Sequence, residues 1–331
     1  MTNVYKIGRL VQVGVAKEAT RGTTPSAATY WPAYNGQLVL DEKRKFVKDQ
    51  STYGIIEEAV GEQIVQTYSE ATIKGDVTDT SFCLFLLSVM GAQAAALHGS
   101  ETVVYDNTFT VAESAQHQSL SLYLHDASVQ DYSYANAVVS KLEINYELEK
   151  FLAYSATIMG QKGATHTAYS PSETQENKFA APYGTLKVAS AVSGLSGATA
   201  IPIKSMKITL DASVEAFLAS GSAAPVDFFN KEFKCSGTIE AIYRNEADFK
   251  TAFLAGTAQA ALLSLTNTAV TLGSAANPAI NITLDQVFFE ELTRKIDQKD
   301  LCYATMKFNA TYSIANSEML KVVVTNLVNS F

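Results

Sequence analysis

The chain has 331 residues, of which 47% are hydrophobic and 18% are charged, with a formal net charge of −8 and a pI near 5.1. This apolar fraction is enough for two packed cores, which excludes disorder as the main state. Lys and Arg are not clustered, which argues against a surface that binds nucleic acid from outside. An acidic balance alone is typical of cytosolic proteins.

Residues 1–37 are predicted to form an extended arm, because short apolar runs alternate with Gly, Thr and Pro turn residues. An arm of this kind is suited to strapping onto a neighbouring molecule. We find no apolar segment of signal-peptide length, and no stretch approaches the ~20 apolar residues of a membrane helix. The sequence therefore predicts synthesis in a cytosol and no membrane association.

The first structural unit spans residues 38–91. It begins with the strand LVLD at 38–41, continues through a long excursion at 41–69, and returns as the strand EATIKG at 70–75. An apolar helix follows and ends at Gly91. An excursion of this length is far longer than a common hairpin connection, which indicates a function.

The excursion at 41–69 combines a basic run, a group of carboxylates and apolar side chains that need a partner surface. A solvated loop or a carboxylate cluster for a cation are the ordinary alternatives. We predict contacts with a neighbouring molecule for Lys43, Arg44, Lys45, Phe46, Tyr53, Ile55, Ile56, Glu57, Glu58 and Glu62.

A second unit repeats this order at residues 208–256. The strand ITLD at 208–211 is followed by an excursion at 211–233, the strand SGTIEA at 236–241, and a helix with an N-cap candidate at Asn245 and a stop at Gly256. The second excursion also carries apolar residues, and its contact candidates are Phe217, Leu218, Phe228 and Phe229.

Further strands follow each unit in the same order. Period-two alternation predicts half-buried strands at 119–126 and 279–286, and the segments 151–160 and 301–312 complete the pattern. The shared order predicts a mainly β chain built by internal duplication. We expect two tandem β-sandwich or half-barrel domains, each with a short flanking α-helix.

The polar segment between the halves lacks either periodicity and marks the domain boundary. The predicted division of the chain is an N-terminal arm at 1–37, a first domain at 38–165, a linker at 166–184 and a second domain at 185–331.

No residue pattern predicts catalysis, a cofactor or a metal. The four histidines lack metal-ligand spacing, and the pair His125–Asp126 is not accompanied by a nucleophile motif. Cys83, Cys235 and Cys302 each lie in an apolar run, which favours core thiols in a reducing compartment over disulfides. We therefore expect a protein that is not an enzyme.

Several of these segments together resemble the tail tube (major tail) proteins of long flexible-tailed bacteriophages. They are the arm residues 14–18 and 21–23, the first unit with its terminal LLSVMG, the strand SLSLYL, and the connection AVVSKLEINYELEKFLAYSATIMG. The resemblance implies a β-sandwich with a flanking helix, whose strands join one inner barrel in a ring. Stacked rings would then form the conduit through which the genome is delivered.

The resemblance also implies the partners and the location. The chain would assemble with itself, as a trimeric ring of pseudo-sixfold symmetry or alternatively as a hexamer. It would meet tape-measure, tail-terminator and tail-tip proteins in the virion tail, after synthesis in the host cytoplasm. DNA would pass through the lumen without sequence-specific binding.

Two other classes remain as alternatives. A secreted or outer-membrane β-protein, such as a porin or adhesin, also has alternating strands and Thr/Ser/Ala-rich turns, but no aromatic girdles recur here. An enzyme on a β-sandwich would need His125 and the scattered carboxylates to converge.

Overall fold

The computed structural model describes residues 7–126, 129–296, 298 and 301–331, and these form a mainly antiparallel β structure with two α-helices. Residues 1–6 of the predicted arm lie outside the described residues. The strands of the first half are β1 Gln12–Lys17, β2 Tyr34–Asp49, β3 Gly61–Asp76, β4 Gly91–Leu97, β5 Tyr105–Val111, β6 Leu120–His125, β7 Asp131–Glu147, β8 Ala153–Gly160 and β9 Ala164–His166. Those of the second half are β10 Gly184–Ala189, β11 Ile203–Asp211, β12 Val214–Phe217, β13 Asp227–Asn230, β14 Lys234–Ile242, β15 Gln259–Thr266, β16 Ala279–Lys295, β17 Tyr303–Ala310 and β18 Leu320–Asn326.

The helices lie where the sequence predicts them, directly after β3 in the first half and directly after β14 in the second. Helix α1 spans Phe82–Met90 and is buried throughout, and helix α2 spans Lys250–Ala255. Both end at a glycine in the left-handed region, Gly91 (φ 90°) and Gly256 (φ 62°). Asn245 caps a turn that precedes α2, because its side chain accepts from the Asp248 N–H at 3.0 Å, so the helix begins later than predicted.

One antiparallel sheet runs through both halves of the chain. In the described residues it contains 16 strands, and its main path follows the order β2-β3-β8-β7-β11-β14-β17-β16-β18-β5-β4. The halves join at two places, where β7 pairs with β11 and where β18 pairs with β5. The hairpin β12–β13 forms a separate two-stranded sheet.

The strand pairings of the two halves follow the same pattern. In the first half β1 pairs with β6, β6 with β7, β7 with β8, β8 with β3, and β3 with β2. In the second half β10, β15, β16, β17, β14 and β11 pair in the equivalent order. Each half therefore repeats one topology, which is compatible with the predicted duplication.

Backbone irregularities also recur at equivalent positions. The β7–β8 ladder has a register shift between Val139 and Lys141, and the β16–β17 ladder has one between Phe289 and Glu291. The β6–β7 ladder is shifted between Leu120 and Leu122, and the equivalent β15–β16 ladder is shifted between Gln259 and Ala261. The β2–β3 and β11–β14 ladders are both shifted near the start of β2 and of β11. Bulges bend strands at specific points, so equivalent bulges give the two halves similar curvature.

Pairing fixes which residues correspond between the halves. Each residue of β8 corresponds to the residue 150 positions later in β17, as Thr157 does to Lys307. The predicted match of EATIKG with SGTIEA agrees with the ladders, since Ile73 and Ile239 occupy equivalent places. The match of LVLD with ITLD is wrong by two residues, because Leu38 corresponds to Met206. A shift of two keeps every side chain on the same face, which is why the sequence pattern conceals it.

The predicted half-buried strand at 119–126 is instead buried on both faces over Leu120–Leu122 and Tyr123. Its second face is covered by residues that follow β1. The Tyr123 ring packs edge-on against Tyr169 at 5.1 Å, and Tyr123 Oη donates to the Pro25 carbonyl at 2.8 Å. Alternation indicates one core face, but it cannot show that another segment covers the opposite face.

The N-terminal residues and the predicted linker pack within their own chain. Strand β1 is largely buried against β6, so residues 12–17 do not form a strap onto a neighbour. In the predicted linker, Phe179 is buried, and the Glu176 carboxylate accepts from Ser81 N–H at 3.0 Å and Ser81 Oγ at 2.6 Å. A carboxylate at this place stabilises the N-terminus of α1.

A buried polar network fastens the N-terminal segment to both halves. The Glu18 side chain is buried and accepts from Ser119 Oγ, Ser121 Oγ and Asn136 N–H at 2.7–2.8 Å. Close by, Arg21 donates to the Asp227 carboxylate at 2.5 Å and to the Phe228 carbonyl at 2.6 Å. Buried charges need such partners, so these two residues fix the path of residues 18–22.

We expect Arg21→Ala to lower the free energy of unfolding by about 2–3 kcal/mol, because it leaves the largely buried Asp227 without its charged partner. Denaturant unfolding at low protein concentration measures the change. The exposed Arg9 offers a matched control, and Arg9→Ala should change stability by less than about 0.5 kcal/mol. Equal effects of the two substitutions would contradict a structural role for Arg21.

The pKa of Asp227 predicts an acid dependence of stability. Burial acts to raise this pKa, but hydrogen bonds from Arg21, the Phe228 N–H and Asn136 outweigh it, and the pKa lies below the ordinary 3.8. The carboxylate therefore stabilises the fold above about pH 4, and this contribution is lost as pH falls through the lowered pKa. The gap in unfolding free energy between the unaltered chain and Asp227→Asn should narrow from pH 6 to pH 3, and a constant gap in denaturant unfolding would contradict this.

Candidate assembly and lumen-lining surfaces

The first excursion is a long β-hairpin that extends from the sheet. Most of residues 41–69 continue strands β2 and β3, which pair as far as Asp49 opposite Gly61, and only residues 50–60 form the connection. The excursion is therefore an extended ladder instead of a loop. Paired strands hold its tip at a fixed distance from the domain.

The hairpin carries the predicted contact residues on its exposed part. Lys43 lies near the base, where its Nζ is 3.1 Å from Asp41 and 3.6 Å from Glu70. Glu58 is 3.4 Å from Lys48 at the tip. Arg44, Lys45, Glu57 and Glu62 are exposed. Since exposed ion pairs contribute little to stability, these charges are available to a neighbour.

Apolar side chains on the hairpin are half to fully exposed. Ile56 is completely exposed, and Tyr53, Ile55 and Phe46 are 62%, 52% and 47% exposed. Four further apolar residues of this hairpin are exposed although they are not among the predicted contact residues: Val47, Val60, Ile64 and Val65. The signal that could have found three of them is the adjacent apolar pairs, Phe46 with Val47 in β2 and Ile64 with Val65 in β3, within an otherwise polar stretch.

The second excursion lies against the base of the first. It contains β12–β13, and the Ala223 carbonyl accepts from the Thr67 N–H of β3 at 2.8 Å. Phe217 is half exposed and packs edge-on against Phe229 at 5.5 Å, and Leu218 is 42% exposed. Phe228 is fully buried beside the Arg21 network, so it has a packing role within the protomer.

We call the eight-strand stretch β2-β3-β8-β7-β11-β14-β17-β16 of the large sheet the central sheet. Its face opposite the core is polar and charge-balanced. Strands alternate buried apolar residues with residues such as Thr72, Thr157, Thr209 and Thr238 on the other face. Its acidic groups have cationic neighbours: Glu143 lies 2.7 Å from Lys141 and 3.0 Å from Lys207, and Glu291 pairs with Lys307. This face thus presents hydroxyls and neutralised charges in place of a basic field.

Glu143 shows how closely these charges are matched. Burial acts to raise its pKa, but hydrogen bonds and charge from Lys141 and Lys207 outweigh it, so the pKa lies below its usual value. The carboxylate is therefore ionised at neutral pH and offsets cationic charge on the same face. A strand on each side of the halves' junction supplies one of the two lysines, Lys141 on β7 and Lys207 on β11.

Two edges of the central sheet lack strand partners in the described part of the chain. Strand β2 pairs only with β3, and residues 291–295 of β16 pair only with β17. The apolar side chains Leu38 and Leu40 on the first edge and Leu292 on the second are only half buried. A bare edge presents unpaired backbone N–H and C=O groups, which favours pairing with another chain.

His125 and the cysteines have structural surroundings. His125 Nδ1 lies 2.8 Å from Asp131 Oδ2, and Tyr169 N–H donates to the same carboxylate. Burial raises the pKa of Cys83 and raises that of Cys235 to about 12, which confirms both as core thiols, whereas Cys302 is half buried. No group of three metal-ligating side chains occurs among the residues the structure describes.

We compared the sequence with known proteins. No curated protein matches the chain. In the described part of the chain, no helix is both long and apolar enough to cross a membrane. The family model for the phage tail tube protein matches residues 8–293, which include the hairpin, the edge strand β2, the junction of the halves and part of the second open edge. The chain therefore belongs to the phage tail tube protein family.

Proposed function

We propose that this chain is the structural subunit of a phage tail tube and that it forms rings which stack into the conduit for DNA. The observation that carries this proposal is the central sheet. Eight strands, from β2 to β16, form one path with a bare edge at each end. Pairing between copies satisfies both edges, and a closed ring leaves none.

The arrangement favours three chains in each ring. Each chain contributes two topologically equivalent halves, so a trimer contains six similar units, and a hexamer is the alternative. We place the two β domains at 38–165 and 185–331. Both contribute strands to the path, which favours a bore lined by both halves.

The polar sheet face is our candidate for the wall of the bore. Paired charges such as Glu143 with Lys207 leave little net positive field to hold phosphates. DNA would then pass without sequence-specific binding. In the alternative orientation, the elements that cover the core face of the sheet, such as α1, would line the bore instead.

The two excursions are our candidates for contacts between rings. The tip of the β2–β3 hairpin exposes Tyr53, Ile55 and Ile56 together with both signs of charge, and an isolated protomer has nothing to cover them. Phe217 and Leu218 of the second excursion lie on the same side, next to the hairpin base. In the virion tail the terminal rings would meet tape-measure, terminator and tip proteins, after synthesis in the host cytoplasm.

Electron microscopy of the purified, concentrated chain tests the proposal. We expect class averages along the axis to show a ring with a bore, three chains and six similar lobes. Rings of six chains would favour the alternative. If sedimentation shows single chains at every concentration, with and without other tail proteins, the proposal fails.

Deletion of residues 45–62 tests the stacking role of the hairpin. The deletion joins Arg44 to Gln63 and leaves four residues between the paired positions Arg44 and Thr67, which suits a short connection. We expect a folded protomer that still forms rings but no tubes, as scored by negative-stain microscopy and sedimentation. Full-length tubes from this variant would rule out stacking through the hairpin.

A further inference from the structure

The bare edges of the central sheet belong to strands whose equivalents pair inside the chain. By the ladders, β2 of the first half corresponds to β11 of the second, and β7 corresponds to β16. The strands β7 and β11 pair with each other at the junction of the halves. Their equivalents, β16 for β7 and β2 for β11, have no such partner on their open edges. The internal β7–β11 pairing is therefore a template for a pairing between β16 of one copy and β2 of another.

We propose that β2 of a second copy pairs antiparallel with the C-terminal part of β16, in the register of the internal β7–β11 junction. In that junction Thr209 lies opposite Glu143. Their equivalents are Asp41 and Thr293, so Asp41 of the second copy lies opposite Thr293. This inference rests on the proposed function and specifies the strands and register of its ring.

Burial at the internal junction and at the open edges supports the use of the β7–β11 register for the pairing between copies. At the internal junction the apolar residues Ile208 and Leu142 are 1% and 0% exposed. Their equivalents on the open edges, Leu40 and Leu292, remain half buried. In the proposed register Leu40 faces Arg294 and Leu292 faces Glu42, and the aliphatic stems of these charged side chains would cover both leucines.

The neighbouring Ile296 gives the same indication. It corresponds to Tyr146, which is 3% exposed at the internal junction, whereas Ile296 is 69% exposed. In the proposed register it faces Leu38 of the second copy, as Tyr146 faces Met206. An apolar pair at this position would extend the core across the boundary between chains.

Each of the two junctions, the internal one and the proposed one between copies, has a pair of opposite charges, although the residues differ. Asp211 lies opposite Lys141 within the chain, and the equivalent pair between copies is Lys43 opposite Glu291. The signs are exchanged between the strands, but each pair is attractive. Like charges directly opposite each other would oppose pairing, and the proposed register avoids them here.

Disulfide trapping tests the register. The variant Asp41→Cys/Thr293→Cys places one thiol on each edge, and a Cα separation of about 5 Å in a directly opposed pair permits a disulfide. The half-buried Cys302 is replaced by Ser in all variants, while the buried Cys83 and Cys235 remain. After mild oxidation of assembled rings, we expect a non-reducing gel ladder that ends at the ring's full number of chains.

The control keeps the same strands and the same face but shifts the register. In Lys43→Cys/Lys295→Cys the two thiols are four residues out of register, which separates them by about 13 Å. We expect about tenfold less cross-linked product from this variant than from the matched pair. The second matched pair, Lys43→Cys/Glu291→Cys, should behave like the first.

The outcomes separate this inference from the proposed function. Rings that form but give no more product from either matched pair than from the control would overturn the proposed register and leave the ring intact. Failure of the unaltered chain to form any ring would overturn the proposed function, and with it the proposed β2–β16 pairing between copies. A series of gel bands that ends at three or at six cross-linked chains supports the β2–β16 pairing in a trimeric or a hexameric ring.

Discussion

Unpaired backbone groups at the two ends of the central sheet are the constraint on which the rest of this structure depends. Each N–H and C=O on a bare edge can be satisfied only by water or by another strand, and the side chains next to it stay partly exposed. Inside the chain, β7 and β11 solve this problem for each other. At β2 and at the end of β16 the same kind of edge is left open, with apolar residues such as Leu40 and Leu292 beside it.

A bare edge also creates a risk of uncontrolled pairing. Elsewhere in the protomer, buried polar contacts order the connecting segments. Glu18 and Arg21 connect the N-terminal segment to both halves through buried hydrogen bonds. Glu176 holds residues 166–184 against the start of α1. These contacts hold both segments against their own protomer.

The two halves share a topology but have diverged at the same place in it. Between β2 and β3 the chain extends into a hairpin with an exposed apolar tip, whereas between β11 and β14 the shorter excursion folds back and buries Phe228. The first half also carries the hairpin β4–β5, whose strand β5 pairs with the C-terminal strand β18. The halves can therefore contribute equivalent strands to one sheet while offering different surfaces to other partners.

The sequence by itself determined the β character, the two helices with their glycine stops, and the repeated order of strands, because these depend on local periodicity and turn chemistry. Gly91, Gly256 and the Ile73–Ile239 match are examples. Only the tertiary structure decided three features: the two-residue offset in the correspondence of β2 with β11, the burial of both faces of β6, and the continuous sheet with open ends. These features depend on which distant segments lie side by side, and period-two alternation is unchanged by a shift of two residues or by an added cover on the second face.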